Sequence, residues 1–246
     1  RQYWENSIAV RDALGSFYER LRDLGAFTHG LRGLHRLATI GVDGSNYYGG
    51  AGGIATVPGE LRTTSIGNLF DERKTWILAR WLELLDVRHQ PASSGWIVST
   101  RNVPLVHIAD DGHRCHHPYG RAGEQLANQL DEMRLHLSEA RAAVQTGRER
   151  LLRHCALFHQ CFALAHPFAN INNSIAMNIV NDLLGRAGIG VLPHLYLDLA
   201  AYLSQPEDYV RLFERAVEAH VMNDSVGRDR PATRALLEAV ASAPAA

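Results

Sequence analysis

The segment from residue 151 to residue 188 constrains the fold of this chain more than any other part of the sequence. An apolar stripe at helical spacing runs directly into His166, and its members are Leu151, Cys155, Phe158, Phe162 and Ala165. A second helix is predicted over about Ser174 to Ala187, with Gly188 as its C-terminal stop. Two helices are therefore expected to flank a short loop that begins with a histidine and a proline.

Helical periodicity also dominates the rest of the chain. One apolar stripe near the start contains Val10, Leu14, Phe17, Leu21 and Leu24. Asn68 is expected to cap another helix, which carries Leu69, Trp76, Ile77, Leu84 and Leu85. Further helices are predicted over about 126–140, 195–203, 207–222 and 232–241.

Two regions have a different pattern. Residues 41–59 contain seven glycines around Tyr47 and Tyr48, which predicts a loop. The segments 96–100 and 105–108 are rich in β-forming residues and are separated by a turn, so they predict a short hairpin. The expected fold is therefore mostly α, with one short β-hairpin.

The composition narrows the function classes. The net charge is −1 over 246 residues, which disfavours a broad nucleic-acid-binding surface. No apolar run approaches the roughly 18 residues that a membrane span needs. The three cysteines are too few and too scattered for a disulfide framework, so we expect a reducing, cytoplasmic location.

The loop and the second helix read HPFANINNSIAM, and this segment resembles the Fic motif HPFxDGNGRxxR. His166, Pro167, Phe168 and Asn172 match that motif. The acidic residue, both glycines and both arginines of the motif are replaced, and the residues in their places are Asn170, Ile171, Asn173, Ser174 and Met177.

The resemblance implies a Fic-like helical bundle with a β-hairpin flap. On this basis residues 96–222 form the core, residues 1–95 form a helical extension packed on it, and residues 223–246 form a C-terminal helix and tail. The hairpin of such proteins docks a target chain, which implies that role for Thr100, Arg101, Asn102 and Val103 here.

The resemblance also implies a catalytic role for His166 as the base that removes a proton from an attacking hydroxyl. The alternative is a buried structural histidine, and the adjacent Pro167 and Phe168 favour the catalytic interpretation. Asn172 and the backbone amides of Asn173 and Ser174 would form an anion site at a helix N-terminus.

The departures from the motif argue against magnesium-triphosphate chemistry. Asn170 offers a neutral amide where a carboxylate would hold magnesium, so the cofactor stays unidentified and magnesium is disfavoured. Two arginine charges are lost, and each lost charged hydrogen bond costs about 1.5–3 kcal/mol. The polar residues in this segment allow two interpretations. They either cap the helix and form interhelical hydrogen bonds, or they line a pocket for a small polar ligand. The candidate ligand-binding residues are Asn170, Asn172, Asn173, Ser174, Asn178 and Asn181.

Three functions remain open on the sequence alone. The first is a divergent Fic-like transferase that moves an AMP or another phosphate-containing group onto a hydroxyl. The second is a magnesium-independent enzyme acting on a small molecule, and the third is a non-catalytic protein. The expected partners of this chain are a nucleotide or a small polar ligand, and a protein target. Neither a nucleic acid nor a membrane is expected as a partner, and a homodimer is compatible with the sequence.

A metal site is not predicted. His113, Cys115, His116 and His117 crowd a segment that we expect to be a loop after the hairpin. Imidazole and thiolate groups bind zinc, but this spacing fits no standard structural zinc site.

Overall fold

A computed structural model describes residues 2–41, 57–69, 72–87, 94–110, 114–194, 196–221 and 231–241. Within these ranges the helices are α1 (Gln2–Tyr18), α2 (Leu24–Ala38), α3 (Glu72–Leu84), α4 (Glu124–Ala143), α5 (Arg148–Ala165), α6 (Asn172–Arg186), α7 (Leu197–Tyr202), α8 (Pro206–His220) and α9 (Pro231–Ala241). The strands are β1 (Ile66–Leu69), β2 (Gly95–Val98), β3 (Pro104–Ile108) and β4 (Arg114–His117). The prediction of a mostly helical fold with a short hairpin is confirmed.

The strands form one small antiparallel sheet in the order β1-β4-β3-β2. The predicted hairpin is the β2–β3 pair, in which Trp96 lies opposite His107. Strands β1 and β4 were not predicted from the sequence. Asn68 lies in β1, so its predicted role as a helix cap is wrong, and α3 begins only at Glu72.

The helical hairpin of α4 and α5 forms the centre of the fold. Its inner face buries Leu130, Met133, Leu137 and Phe158 almost completely. The sheet docks on α4 through the buried side chain of Gln129, whose Nε2 donates to the carbonyls of Pro104 at 2.9 Å and Leu105 at 3.0 Å.

The first predicted stripe is interrupted near its end. Helix α1 stops at Tyr18, and Leu24 already belongs to α2. The break is fixed by Asp23, whose side chain accepts a hydrogen bond from the Ala26 amide at 2.8 Å and so caps α2. The prediction of one continuous stripe through Leu24 is therefore wrong in its last turn.

Helix α6 ends at Arg186, and Gly188 provides the predicted C-terminal stop. This glycine has a φ of 69°, and its amide donates to the carbonyl of Gly185 at 2.9 Å. The Ile189 amide donates to the carbonyl of Leu184 at 2.9 Å, which completes a Schellman motif.

The structure contains the helices predicted in the C-terminal part of the chain but does not contain the loop predicted at residues 115–117. The helices expected near 195–203, 207–222 and 232–241 correspond to α7, α8 and α9. Most of the glycine-rich segment 41–59 lies outside the described residues, as does His113. Cys115, His116 and His117 form part of β4, so their assignment to a loop is wrong.

The three cysteines are buried and form no disulfide bond. None of the helices among the described residues is long and apolar enough to cross a membrane. Residues of α1 and α2 share one apolar core with those of α5 and α6. The predicted domain boundary at residue 95 stays a prediction.

Candidate functional site

The loop between α5 and α6 has left-handed backbone conformations at both ends. His166 has φ 46° and ψ 59°, and Ile171 has φ 64° and ψ 10°. A β-branched residue with positive φ is a genuine outlier, whereas glycine adopts this conformation at little cost. Ile171 replaces a motif glycine, so the loop keeps at this position a backbone shape that glycine favours.

Asn172 closes this loop from inside. Its Oδ1 accepts a hydrogen bond from the Phe168 amide at 2.9 Å, and its Nδ2 donates to the Phe168 carbonyl at 2.8 Å. Phe168 is fully buried and stacks on the His35 ring, with the ring centroids 4.0 Å apart. Asn172 therefore shapes the loop, and its role in ligand binding stays a prediction.

Replacing Asn172 should destabilise the protein far more than replacing Asn178. Asn172→Ala leaves a buried N–H and a buried C=O without partners, which should lower the free energy of unfolding by about 2–4 kcal/mol. Among the described residues, Asn178 donates only to the Ser174 carbonyl within its own helix, so Asn178→Ala should change the free energy of unfolding by less than about 1 kcal/mol. Urea denaturation measures both, and equal losses would contradict the assigned role of Asn172.

His166 lies where three segments of the chain meet. Its Nδ1 lies 3.4 Å from the hydroxyl of Tyr202, which in turn donates to the Ala163 carbonyl at 3.1 Å. The ring of His117 from β4 lies against it, with the centroids 5.1 Å apart. The guanidinium of Arg62 donates to the His166 carbonyl at 3.0 Å. Part of the His166 surface still reaches solvent.

Both histidines of this pair are held in the neutral form. Burial lowers the pKa of His166 to about 4, with a smaller lowering from the Arg62 charge and an opposing contribution from the Ala169 backbone. Burial and the neighbouring His166 lower the pKa of His117 to about 3. His117 Nδ1 donates to the Leu164 carbonyl at 2.6 Å, which fixes the tautomer of its neutral ring.

Asn173 belongs to a buried polar chain. Its Oδ1 accepts a hydrogen bond from His159 Nε2 at 3.0 Å, and the Tyr209 hydroxyl lies 2.6 Å from His159 Nδ1. Because an amide oxygen only accepts, Nε2 of His159 carries the proton and Nδ1 accepts from Tyr209. The Asn173 side chain therefore ties α6 to α5 and α8.

The other predicted polar residues follow the same trend. The Asn181 side chain pairs with the backbone of Leu192. Its Oδ1 accepts a hydrogen bond from the Leu192 amide at 2.8 Å, and its Nδ2 donates to the Leu192 carbonyl at 3.0 Å. The Ser174 hydroxyl contacts the hydroxyl of Tyr3 from α1. Asn170 is half-buried in the loop. Burial lowers the pKa of His35 to about 4, and a hydrogen bond with the Asn170 backbone opposes this lowering in part. The structure thus brings this predicted set together along α6, and most of the amides bond to the protein itself.

Met177 points into the core. Its side chain is 1% exposed, in the apolar cluster that α6 shares with α5. The resembled motif has an arginine at this position. A guanidinium there would lie among apolar side chains instead of facing a ligand.

The predicted docking hairpin is anchored to α4. At its turn, Ser99 Oγ accepts hydrogen bonds from the amides of Arg101 at 3.2 Å and Val103 at 3.1 Å. Arg101 pairs with the buried carboxylate of Glu132 at 3.3 Å. Asn102 has a positive φ of 62°, and Thr100 is exposed at the turn. The docking role of residues 100–103 stays a prediction.

Two surface depressions bear on ligand binding. A cleft beside the start of α6, lined in part by Tyr3, Ile171 and Ser174, has a volume of about 10 Å³, which is room for one water molecule. A larger open groove of about 590 Å³ lies between the ends of α1 and α4, beside Arg22 and Arg141. That groove is at the opposite end of the α4–α5 hairpin from His166.

Sequence reasoning missed Arg62, His117 and Tyr202 as neighbours of His166. Each is distant in sequence and lies in no motif. One local signal was available, because Pro58 and Gly59 occupy the central positions of a tight turn just before Arg62.

The described residues contain no cluster of three or more side chains that could hold a metal ion. No family model matches this chain, and a search of curated proteins finds no match either. The motif resemblance therefore rests on the residues around His166.

Proposed function

We propose that this chain is a divergent Fic-like enzyme in which His166 acts as a general base without magnesium-bound triphosphate. The acceptor hydroxyl would lose its proton to His166 while its oxygen bonds to the transferred phosphate-containing group, and the bond between that group and the rest of the donor would break to release the leaving group. The acceptor is a hydroxyl of a small molecule or of a protein.

The observation that carries this proposal is the placement of His166. Its imidazole is neutral and contacts the Tyr202 hydroxyl at the end of α5, and the residue as a whole is only partly buried. A neutral imidazole has a lone pair that accepts a proton, which is the first requirement of a general base.

Three features argue against a magnesium triphosphate in this site. Asn170 supplies no carboxylate for the metal. Met177 is buried where the motif would place an arginine. Asn172 already uses its amide to close the loop. A donor would therefore be recognised by fewer charges than the resembled motif provides.

The low pKa of His166 indicates how such a site would be activated. A base with a pKa of about 4 is weak at neutral pH, and general bases work best with pKa values near the working pH. An anionic group bound beside the ring would raise its pKa by favouring the protonated form. We therefore expect the substrate to carry a carboxylate or a monophosphate close to His166.

A non-catalytic role is the second candidate. The internal bonding of Asn172, Asn173 and Asn181 favours it, because these amides contribute to stability without any ligand. The two candidates differ in what they predict for His166→Ala.

The test is a turnover screen with small anionic ligands. A thermal-shift assay first identifies the carboxylates, nucleoside monophosphates or nucleotide sugars that stabilise the protein. Mass spectrometry then measures whether each of these ligands reacts when a hydroxyl compound, or the protein itself, is supplied as the acceptor. We expect magnesium-independent turnover that His166→Ala lowers by about 10²–10⁴-fold while ligand binding persists. His154→Ala, on the same helix but remote from the loop, is the control. Turnover that survives in His166→Ala would contradict the proposal, and absence of turnover with every ligand would favour the non-catalytic role.

A further inference from the structure

The guanidinium of Arg62 joins the three segments that meet at His166. Its Nε donates to the carbonyls of Ala165 at 3.2 Å and His166 at 3.0 Å, which are at the end of α5. One terminal nitrogen donates to the Thr64 carbonyl at 2.8 Å. The other donates to the carbonyl of Pro118, just after β4, at 2.7 Å. The Arg62 amide donates to the Pro167 carbonyl at 2.9 Å.

This arginine is buried without a carboxylate among its described contacts. The residue is 6% exposed, and its described contacts are carbonyl oxygens and the ring of Tyr119, 5.8 Å away. Burial lowers its pKa to about 10, so it stays charged at neutral pH. The last carbonyls of a helix carry partial negative charge and lack intrahelical partners, which explains how the end of α5 accommodates this cation.

A tight turn places Arg62 at this point. The Glu60 amide donates to the Val57 carbonyl at 3.1 Å, and Gly59 within the turn has a φ of 76°. The Gly59 amide donates to His35 Nδ1 at 2.8 Å, and its carbonyl accepts from Arg32 Nε at 2.7 Å. A side chain on Gly59 would lie 2.9 Å from the Arg32 carbonyl oxygen, so the turn needs glycine to dock on α2.

We propose that Arg62 is the positioning residue of the His166 site, holding the end of α5 and the segment after β4 so that the imidazole stays ordered between His117 and Tyr202. This inference rests on the proposed function for its catalytic meaning. Arg62 acts through the backbone of residues 165–167 and does not itself contact a substrate.

The charge of Arg62 adds a second consequence. It disfavours the protonated form of His166, in the same direction as burial. Among the described residues, the other groups that act on this ring are the neutral His117, the hydroxyl of Tyr202 and the Ala169 backbone, which favours the protonated form. Loss of Arg62 should therefore raise the pKa of His166 both by removing a positive charge and by loosening the loop around the ring.

The test follows the His166 imidazole by NMR while the pH is varied, with the signal assigned by its loss in His166→Asn. In Arg62→Met we expect the His166 midpoint to rise by about one unit or more. In Arg62→Lys, which keeps the charge but loses the planar set of donors, we expect a smaller rise. Arg141→Met is the matched control, because Arg141 also donates to a carbonyl, that of Tyr18, and lies over a tyrosine ring, but at the far end of the α4–α5 hairpin.

An unchanged His166 midpoint in a folded Arg62→Met or Arg62→Lys protein would overturn the proposal, as would an equal shift in Arg141→Met. If Arg62→Met does not fold, Arg62→Lys decides. The titration does not depend on turnover. A shifted midpoint together with full activity of His166→Ala would refute the proposed function and leave the positioning role of Arg62 intact.

Discussion

Introducing the missing arginine at position 177 should unfold the protein instead of restoring a phosphate site. The Met177 side chain is 1% exposed and packs in the core shared by α5 and α6. Arginine stays charged in this environment, and the effective penalty for burying an unpaired ion is several kcal/mol. The larger side chain adds about 1–3 kcal/mol of overpacking. We therefore expect Met177→Arg to lower the free energy of unfolding by more than about 4 kcal/mol.

The matched control is the other arginine position of the motif. Ser174 is half-exposed near the start of α6 and contacts the hydroxyl of Tyr3. Ser174→Arg can extend its charge into solvent, so we expect a loss of less than about 1 kcal/mol. Urea denaturation compares the two variants. Equal stability of Met177→Arg and the native protein would show that the core has room for a guanidinium, and the burial of Met177 would then no longer count against a magnesium triphosphate in the site.

Mild acid should remove much of the stability of the protein. Burial lowers the pKa values of His35 and His159 to about 4 in the folded state. An unfolded histidine binds a proton below about pH 6.5. Between pH 6.5 and about 4 the unfolded chain therefore binds protons that the folded protein does not. Stability falls as the pH decreases through this window, because protons favour the state that binds them.

The expected loss is large compared with typical domain stability. At pH 5 each of these two histidines costs about 2 kcal/mol, or about 4 kcal/mol together, against a usual total of about 5–15 kcal/mol. Urea denaturation at pH 7 and pH 5 measures this difference. His35→Gln removes one titrating group, so its loss of stability between pH 7 and pH 5 should be about 2 kcal/mol smaller than that of the native protein. Equal unfolding free energies at the two pH values would contradict the neutral burial of these side chains.

Local sequence patterns predicted the helices around the site because their apolar periodicity is strong. The stripes of α4, α5 and α6 are long enough for the helical period to be clear, and Gly188 marks the end of α6. Helix α2 was missed, although it buries Phe27, Leu31 and Leu34. Strands β1 and β4 were also missed, because they are short and β4 is rich in polar residues, with Arg114, Cys115, His116 and His117.

The site itself could be predicted only in part. His166 and Phe168 were found because their neighbours in sequence match a motif. The roles of Asn172 and Asn181 depend on backbone groups that only the folded loops bring within reach. Arg62 is 104 residues from His166 in the chain, and an arginine whose described partners are backbone carbonyls has no sequence signature. The surroundings of the histidine therefore follow from tertiary structure.

The response of the protein to magnesium ATP tests most directly whether the altered motif has lost its triphosphate site. Thermal unfolding of the purified protein should be compared without ligand, with millimolar ATP, and with ATP plus magnesium. Because Asn170 replaces the metal-binding carboxylate and Met177 is buried, we expect no stabilisation that requires magnesium. A ligand at 100 times its dissociation constant would stabilise the folded state by about 2.7 kcal/mol, which is readily detected. Magnesium-dependent stabilisation of this size would contradict this loss and show that the altered motif still binds a triphosphate.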